Sequence, residues 1–279
     1  MALLQVPQSI IEENVFNALK EDIGDGDITA ELIPQDSISL ATVISREDCI
    51  FCGLDWFEET YRQLDEDILI DWSVDDGDKI SADQVICTIS GSSQRILSGE
   101  RVALNFIQML SATASLAGRY AASVSDTKTK VLDTRKTIPG LRMAQKYAVS
   151  CGGCDNHRLG LFDAFLIKEN HINACDGIKN AVDEARFHNP GLKIEVEVEN
   201  LDELQQAIDA GADHVLLDNF DIDTLQKAVE TCKDKVITEA SGNITLENIN
   251  TIAQTGVDYI STGALTKNIT AIDLSMRFD

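Results

Sequence analysis

Basic residues cluster around the first two of six short apolar segments that begin at residue 130. Arg135 and Lys136 follow the first segment, His157 and Arg158 precede the second, and Lys168 ends it. Guanidinium and ammonium groups at a strand end suit a carboxylate or phosphate, because they donate charge-assisted hydrogen bonds. These residues predict an anion site. Solvated basic loops, or a Schiff base at Lys168, are the alternatives that the residues alone leave open.

Acidic residues lie near the carboxyl ends of three of the later apolar segments. One polar series has spacings of 21, 21 and 22 residues: Glu197, Asp218, Glu239 and Ser261. We expect all four at the rim, because a packed barrel interior has no place for them. Alternation places Glu195, Glu197 and Glu199 on one face, and the spacing favours Glu197 as the residue that reaches the site. Glu197 and Asp218 could accept hydrogen bonds from sugar hydroxyls, or hold Mg²⁺ directly or through water.

Two small turns follow the last two segments. Their residues are Ser241, Gly242 and Asn243, and then Thr262, Gly263 and Ala264. Such strand-to-helix turns offer backbone N–H groups and hydroxyls, the arrangement that binds phosphate in barrel enzymes. Together they predict a phosphate site.

The six segments are rich in β-branched residues and alternate with helical periods, which is typical of a parallel sheet. The predicted strands are 130–134, 164–168, 194–198, 214–218, 236–240 and 259–263. The carboxyl ends of such strands form the rim at which barrel active sites assemble. Six strands favour a shorter barrel or an open sheet over an eight-stranded barrel.

The first hundred residues predict a separate mixed α/β unit. Helices are expected at 10–21 and 98–124, with strands at 40–45, 68–73 and 84–89. The acidic turn at 74–80 resembles half of a biotinyl-type hammerhead but lacks an exposed lysine for a prosthetic group, so we interpret it as scaffold. Gly152 and Gly153 predict that the backbone there closely approaches another group.

Composition restricts the class of protein. The 279 residues are 44% hydrophobic and 25% charged, as in globular proteins, and the formal net charge of −24 argues against nucleic acid or anionic lipid as a partner. Residues 128–193 are the exception, with eleven Lys and Arg against seven Asp and Glu. With no membrane-length apolar run and no signal-like start, we expect a cytoplasmic protein. The seven cysteines predict reduced thiols, because their number is odd and the sequence shows no secretory context. The two CxxC pairs lie too far apart for a zinc ribbon.

Several motifs, in order along the chain, resemble the quinolinate phosphoribosyltransferase family. They are Glu100-Arg101, Asp133-Thr134-Arg135-Lys136-Thr137, Asn156-His157-Arg158, Lys168-Glu169-Asn170-His171, Glu195-Val196-Glu197, Leu217-Asp218-Asn219, Ser241-Gly242-Asn243 and Ser261-Thr262-Gly263-Ala264. The resemblance implies an N-terminal α/β sandwich domain and an incomplete six-stranded parallel α/β barrel. We expect the sandwich at 1–110, joined by the tail 269–279, and the barrel at 111–268.

The resemblance also implies a reaction. Quinolinate and phosphoribosyl pyrophosphate would give nicotinate mononucleotide, pyrophosphate and CO₂ in NAD biosynthesis, with Mg²⁺ accompanying the pyrophosphate. The family forms homodimers, in which Arg101 would reach the partner's site. A higher oligomer stays open.

Site residues follow by position within the motifs. Quinolinate would be surrounded by Arg101, Arg135, His157, Arg158 and Lys168, and Thr134 is a further expected substrate-binding residue. Lys136 would lie near the pyrophosphate, Glu197 and Asp218 would hold ribose hydroxyls or the metal, and the turns Ser241–Asn243 and Thr262–Ala264 would hold the 5′-phosphate. Lys136, Lys168, Glu197 and Asp218 are the expected catalytic residues. Two departures are Lys267, where the family commonly has His, and Cys154, where Gly is usual.

Three other activities are compatible with the same scaffold. They are transfer to nicotinate or another acceptor, a Schiff-base aldolase that uses Lys168, and a non-catalytic or molybdenum-associated binding protein. The complete set of basic residues favours the quinolinate reaction over all three.

Overall fold

The computed structural model describes residues 3–278, which form a mixed α/β fold. The helices are α1 (Gln8–Ile23), α2 (Leu54–Leu64), α3 (Ser93–Ser123), α4 (Arg142–Cys151), α5 (Glu169–Ala174), α6 (Ile178–His188), α7 (Leu201–Asp209), α8 (Ile222–Cys232), α9 (Ile249–Ala253) and α10 (Ala264–Lys267), with a 3₁₀ turn at Ala30–Leu32. The strands are β1 (Ile38–Ser45), β2 (Cys49–Ile50), β3 (Leu69–Trp72), β4 (Lys79–Ile80), β5 (Val85–Ser92), β6 (Lys130–Leu132), β7 (Phe165–Ile167), β8 (Ile194–Val198), β9 (His214–Asp218), β10 (Ile237–Ser241), β11 (Tyr259–Ser261) and β12 (Leu274–Phe278).

The chain divides into two compact units. The first contains the described residues up to Gly118, Thr137–Gly153, and those from Leu265 onward; the second contains Arg119–Lys136 and Cys154–Ala264. The expected boundary at residue 110 falls inside α3, and the segment 137–153, expected in the barrel, belongs to the first unit. The reason is packing, because α4 buries Ala144 and Ala148 in the same cluster as Phe106 and Leu110 of α3.

The first unit is built on an antiparallel sheet of order β12-β1-β5-β3. Its edge strand β12 comes from the end of the chain, and Leu274 pairs with Ser45 of β1. A second cluster, which includes Phe57, Ile86 and Ile107, packs helices against this sheet. The close approach predicted at Gly152 is confirmed, because a Cβ there would lie 2.3 Å from the carbonyl oxygen of Ala114 on α3.

The second unit is a parallel sheet of order β6-β11-β10-β9-β8-β7. All six predicted strands are present, and the edge strands are β6 and β7 among the described residues. The strands are short and largely buried, as expected where helices cover a parallel sheet. Two of the helices between them begin at side-chain caps: Asn200 accepts from the Glu203 N–H at α7, and Asp221 accepts from the Thr224 N–H at α8. The predicted six-stranded parallel architecture is confirmed.

In the part of the chain described here, no helix has the length and apolar character needed to cross a membrane.

Candidate active site

Most of the predicted site residues lie at the carboxyl ends of the six parallel strands, at one end of the second unit. The register places Asp218 of β9 beside Ser241 of β10. The same end of the sheet holds residues that follow or end strands: Thr134, Arg135, Lys136, Lys168, Glu197, Gly242, Asn243, Thr262, Gly263 and Ala264. His157 and Arg158 precede β7 and follow Asp155, which forms a parallel bridge to Leu132 at the end of β6. The geometry is that of a barrel rim.

The turns after the first and last strands meet at Gly263. A Cβ on Gly263 would lie 2.8 Å from Cδ of Lys136 and 3.4 Å from Oγ1 of Thr134. The Thr134 hydroxyl also accepts a hydrogen bond from the Lys136 N–H at 3.0 Å. Glycine at 263 therefore leaves room for the lysine stem to cross the last turn in this conformation.

Two guanidinium groups lie close enough to repel each other. Burial, and then the charge of Arg135, lower the pKa of Arg158. The Nε of Arg135 is buried and has no hydrogen-bond partner within residues 3–278. A buried donor without an acceptor costs free energy unless a ligand supplies the acceptor. The pair is thus suited to an anion with more than one carboxylate oxygen.

The loop that carries His157 and Arg158 is held by Asp133, a fully buried residue at the end of β6. Asp133 Oδ1 accepts the His157 N–H at 2.9 Å, and its Oδ2 accepts the Asn156 amide at 2.7 Å. Sequence reasoning quoted Asp133 within a motif but assigned it no role. Its position at the end of the first strand, directly before Thr134, is the feature of the sequence that could have indicated a role at the site.

Both ring nitrogens of His157 contact protein groups. Nδ1 accepts the backbone N–H of Arg158 at 2.7 Å, and Nε2 lies 3.0 Å from Oε2 of Glu195. Because a backbone N–H can only donate, Nδ1 is unprotonated and the ring proton is on Nε2. These contacts assign His157 to the support of Arg158, and its direct contact with quinolinate stays a prediction.

Glu239 does not lie at the rim as its spacing predicted. It is 1% exposed, in the barrel interior, with Glu195 and His157 around it. Burial, and then the charge of Glu195, raise the pKa of Glu239 to about 8. The two carboxyl groups can be buried together because a protonated Glu239 donates a hydrogen bond to Glu195.

Glu197, rather than its neighbours Glu195 and Glu199, points toward the basic residues. The Lys168 ammonium lies 2.5 Å from Oε2 of Glu197. Glu197 is half-buried, whereas Glu195 is buried and Glu199 is exposed. Strand alternation predicted all three on one face of the sheet. They differ in how far along the direction of β8 they lie, and therefore in burial.

The two turns predicted for phosphate begin at the ends of β10 and β11. Gly242 has φ 97°, a conformation that favours glycine. In the second turn, the Thr262 hydroxyl accepts the Ala264 N–H at 3.2 Å. Both turns therefore have the compact shape that a phosphate cradle needs.

Arg101 and Lys267 belong to the first unit. Arg101 is exposed on α3, and Lys267 is the exposed last residue of α10. Cys154, the other departure from the family pattern, is buried, and the preceding turn is formed by a hydrogen bond from the Gly153 N–H to the Ser150 carbonyl.

Magnesium would find suitable donors at Glu197 and Asp218. Their carboxylates end the adjacent strands β8 and β9, and Mg²⁺ is usually bound by one or two carboxylates together with substrate phosphates. Within residues 3–278, the groups that could form a cage of three protein ligands lie elsewhere, at Cys52, Asp76 and Cys151 and at His157, Glu195 and Glu239. The rim thus fits a metal that arrives with a phosphorylated substrate.

Comparison with known proteins gives two family matches in sequence order. Residues 27–111 match the quinolinate phosphoribosyl transferase N-terminal domain, and residues 113–277 match its C-terminal domain. A probable nicotinate-nucleotide pyrophosphorylase [carboxylating] of Bacillus subtilis is 42% identical over 257 residues, which cover 92% of this chain and 89% of the relative.

Solved structures agree with these matches. The nicotinate-nucleotide pyrophosphorylase of Francisella tularensis is 51% identical with a TM-score of 0.96, covering 99% of this chain and 98% of that one. The enzyme of the same name from Ehrlichia chaffeensis is 35% identical with a TM-score of 0.93, covering 99% and 100%. Rim, fold and comparisons lead to one conclusion: this chain belongs to the quinolinate phosphoribosyltransferase family.

Proposed function

We propose that the rim of the second unit transfers the phosphoribosyl group of phosphoribosyl pyrophosphate to quinolinate. Loss of CO₂ then gives nicotinate mononucleotide, with pyrophosphate as the other product, in NAD biosynthesis. The relatives from Bacillus subtilis and Francisella tularensis are named for this reaction. The observation that carries the proposal is the Arg135–Arg158 pair, in which a buried guanidinium nitrogen lacks an acceptor among the described residues.

Quinolinate meets the requirement of this pair because it has two neighbouring carboxylates. Arg135 and Arg158 bind them through charge-assisted hydrogen bonds, and Thr134 and Lys168 complete the surroundings. Asp133 and His157 hold the Arg158 loop in place. The arginines thereby orient the pyridine nitrogen toward the ribose.

The bond from C1 of the ribose to pyrophosphate breaks as the quinolinate nitrogen forms the new bond to that carbon. Positive charge develops on the ribosyl group, and Glu197 and Asp218 stabilise it electrostatically. Lys136 lies toward the departing pyrophosphate. Glu197 and Asp218 would hold Mg²⁺ directly or through water, and the ion would supply neutralising charge to the pyrophosphate.

Decarboxylation follows because the alkylated nitrogen makes the ring an electron sink. The bond between the ring and the 2-carboxylate breaks, its electron pair stays on the ring carbon, and that carbon takes up a proton. The protein contributes orientation and charge, without a covalent intermediate.

The 5′-phosphate is bound by the turns Ser241–Asn243 and Thr262–Ala264. The proposal further includes a homodimer in which Arg101 serves the partner's site and Lys267 adds a cation at the phosphate end. The cytoplasmic location expected from the sequence stays a prediction.

The test is turnover of quinolinate, phosphoribosyl pyrophosphate and Mg²⁺, with nicotinate mononucleotide and CO₂ measured together. Equal amounts of both products are expected. For Arg135→Ala we expect at least a ~100-fold loss of kcat/KM for quinolinate, with binding of phosphoribosyl pyrophosphate retained, because a charged hydrogen bond in a buried site is lost.

Lys179→Ala serves as the matched control, because Lys179 is an exposed cation of α6 in the same unit. It should leave kcat/KM unchanged. Turnover of nicotinate but not quinolinate, or an unchanged kcat/KM in Arg135→Ala, would contradict the proposal.

A further inference from the structure

Asn219, the residue that follows β9, contacts two parts of the rim at once. Its Nδ2 donates to Oδ2 of Asp218 at 2.7 Å, and its Oδ1 accepts from Nδ2 of Asn243 at 3.2 Å. Its backbone N–H also donates to the Ser241 carbonyl at 2.9 Å. The residue therefore joins the end of β9 to the turn after β10.

The orientation of the Asn219 amide follows from its partners. A carboxylate only accepts hydrogen bonds, so the NH₂ group must face Asp218 and the carbonyl must face the turn. A reversed amide would place two acceptors against each other at Asp218. The two contacts are thus made by one rigid, planar group with one allowed orientation.

The backbone supports the same arrangement. Asn219 has φ 57°, in the left-handed region that asparagine adopts more readily than most residues. A Cβ on Gly242 would lie 2.1 Å from Oδ1 of Asn219, so a glycine is needed for the amide to reach the turn. Asn243 is itself held from the other side, because its carbonyl accepts from Nδ2 of Asn248 at 2.9 Å.

We propose that Asn219 is a positioning residue that fixes the Asp218 carboxylate relative to the phosphate turn Ser241–Asn243. The inference rests on the proposed function, in which Asp218 serves the ribose and metal end of phosphoribosyl pyrophosphate and the turn serves its 5′-phosphate. Asn219 keeps the two ends of the substrate site at one spacing. In this role Asn219 acts through Asp218 and the turn, and not by contact with the reacting atoms.

Two substitutions separate the side chain from the backbone. Asn219→Gly removes the amide and keeps the left-handed conformation, which glycine adopts without strain. Asn219→Asp keeps the size and shape but replaces the donor with a second carboxylate beside Asp218. The control is Asp234→Gly, because Asp234 is an exposed residue of the same unit with a similar φ of 61°.

The readout is the dissociation constant for phosphoribosyl pyrophosphate with Mg²⁺ in calorimetry, with no acceptor present. We expect about tenfold weaker binding for Asn219→Gly, the loss of one oriented charged contact, and a larger loss for Asn219→Asp. In an Asp218→Ala background, Asn219→Gly should weaken binding much less, because its effect passes through Asp218. Asp234→Gly should bind like the unmodified protein.

The outcomes distinguish the inference from the function on which it rests. Unmodified protein that does not bind phosphoribosyl pyrophosphate overturns the proposed function. If the unmodified protein binds phosphoribosyl pyrophosphate, two results overturn the role of Asn219 alone. One is unchanged binding by both Asn219 variants, and the other is an equal effect of Asn219→Gly with and without Asp218→Ala. Thermal melting confirms that each variant is folded, so that a loss of binding is not a loss of structure.

Discussion

The most unusual single residue of the barrel is Glu239, a carboxyl group enclosed with Glu195 and His157. One oxygen of each carboxyl group finds no hydrogen-bond donor among the described side chains as long as both are ionised. Protonation of Glu239 supplies that donor, and its pKa of about 8 makes this the main state at neutral pH. Protonation of Glu239 thus removes one of the two negative charges that this pair of carboxyl groups could carry.

A pH-dependent stability follows. The pKa of Glu239 rises from 4.5 to about 8 on folding, so its contribution to stability is complete below the lower value and is lost as the pH rises through the upper one. Glu239→Gln keeps a donor toward Glu195 and does not titrate. We compare the unfolding free energy of Glu239→Gln with that of the unmodified protein at each pH. This difference should shift in favour of the variant by on the order of 2–4 kcal/mol as the pH rises from about 5.5 to about 8.5.

Urea denaturation of both proteins across this pH range measures the difference. The exposed Glu230→Gln serves as the control and should show no such gain. A stability difference for Glu239→Gln that is constant with pH would show that Glu239 does not gain a proton on folding.

The sequence indicated the position of a side chain correctly where that residue lies near the end of a strand. It did not do so where the position depends on depth in the barrel or on contacts between distant residues. Spacing favoured Glu197, and the structure places it against Lys168. The same spacing placed Glu239 at the rim, because one-dimensional periodicity does not measure depth in a barrel. The contacts of Asn219 with Asn243, 24 residues later, had no signal in the sequence.

At the scale of elements, α4 and α3 meet at Gly152. The Cβ of an alanine there would lie 2.3 Å from the Ala114 carbonyl oxygen and 2.9 Å from the Gly118 nitrogen. Both contacts are with backbone, which cannot rotate aside as a flexible side chain can. The separation of the two helices therefore depends on the absence of one methyl group.

Gly152→Ala should lower the unfolding free energy by about 3 kcal/mol, because the helices must separate to admit the methyl group. Gly191→Ala is the matched control, since a Cβ at Gly191 has nothing within 4 Å. Its effect should stay within about 0.5 kcal/mol. Chemical denaturation measures both, and equal values for the two variants would disprove the close packing at Gly152.

Element prediction worked best where local pattern decides. The six barrel strands lie within two residues of their expected bounds, since short apolar segments mark them in the sequence. The assignment of 137–153 to the barrel differed from the structure because helix α4 packs on α3, which is a non-local contact. Pairing of β12 with β1 is similarly non-local.

At the scale of the whole molecule, the proposed dimer predicts complementation. Arg101 lies in the first unit and Arg135 in the second. If Arg101 serves the partner's site, each active site needs residues from two chains, and a symmetric dimer contains two such sites. A chain defective in one residue can then complement a chain defective in the other.

Arg101→Ala and Arg135→Ala should each be nearly inactive alone. After mixed refolding or co-expression, half of the dimers are mixed and each has one intact site, so about a quarter of the unmodified activity should return. Turnover at fixed total protein measures this recovery. No recovery, with mixed dimers verified by two affinity tags, would contradict donation of Arg101.

The pairing of β12 with β1 has a consequence for synthesis on the ribosome. Residues of the first sheet leave the ribosome early, but the strand that covers its β1 edge is made only after every strand of the barrel. Until then, the open edge of β1 can pair with another nascent chain. The part of the protein that is translated first is therefore the last to be completed.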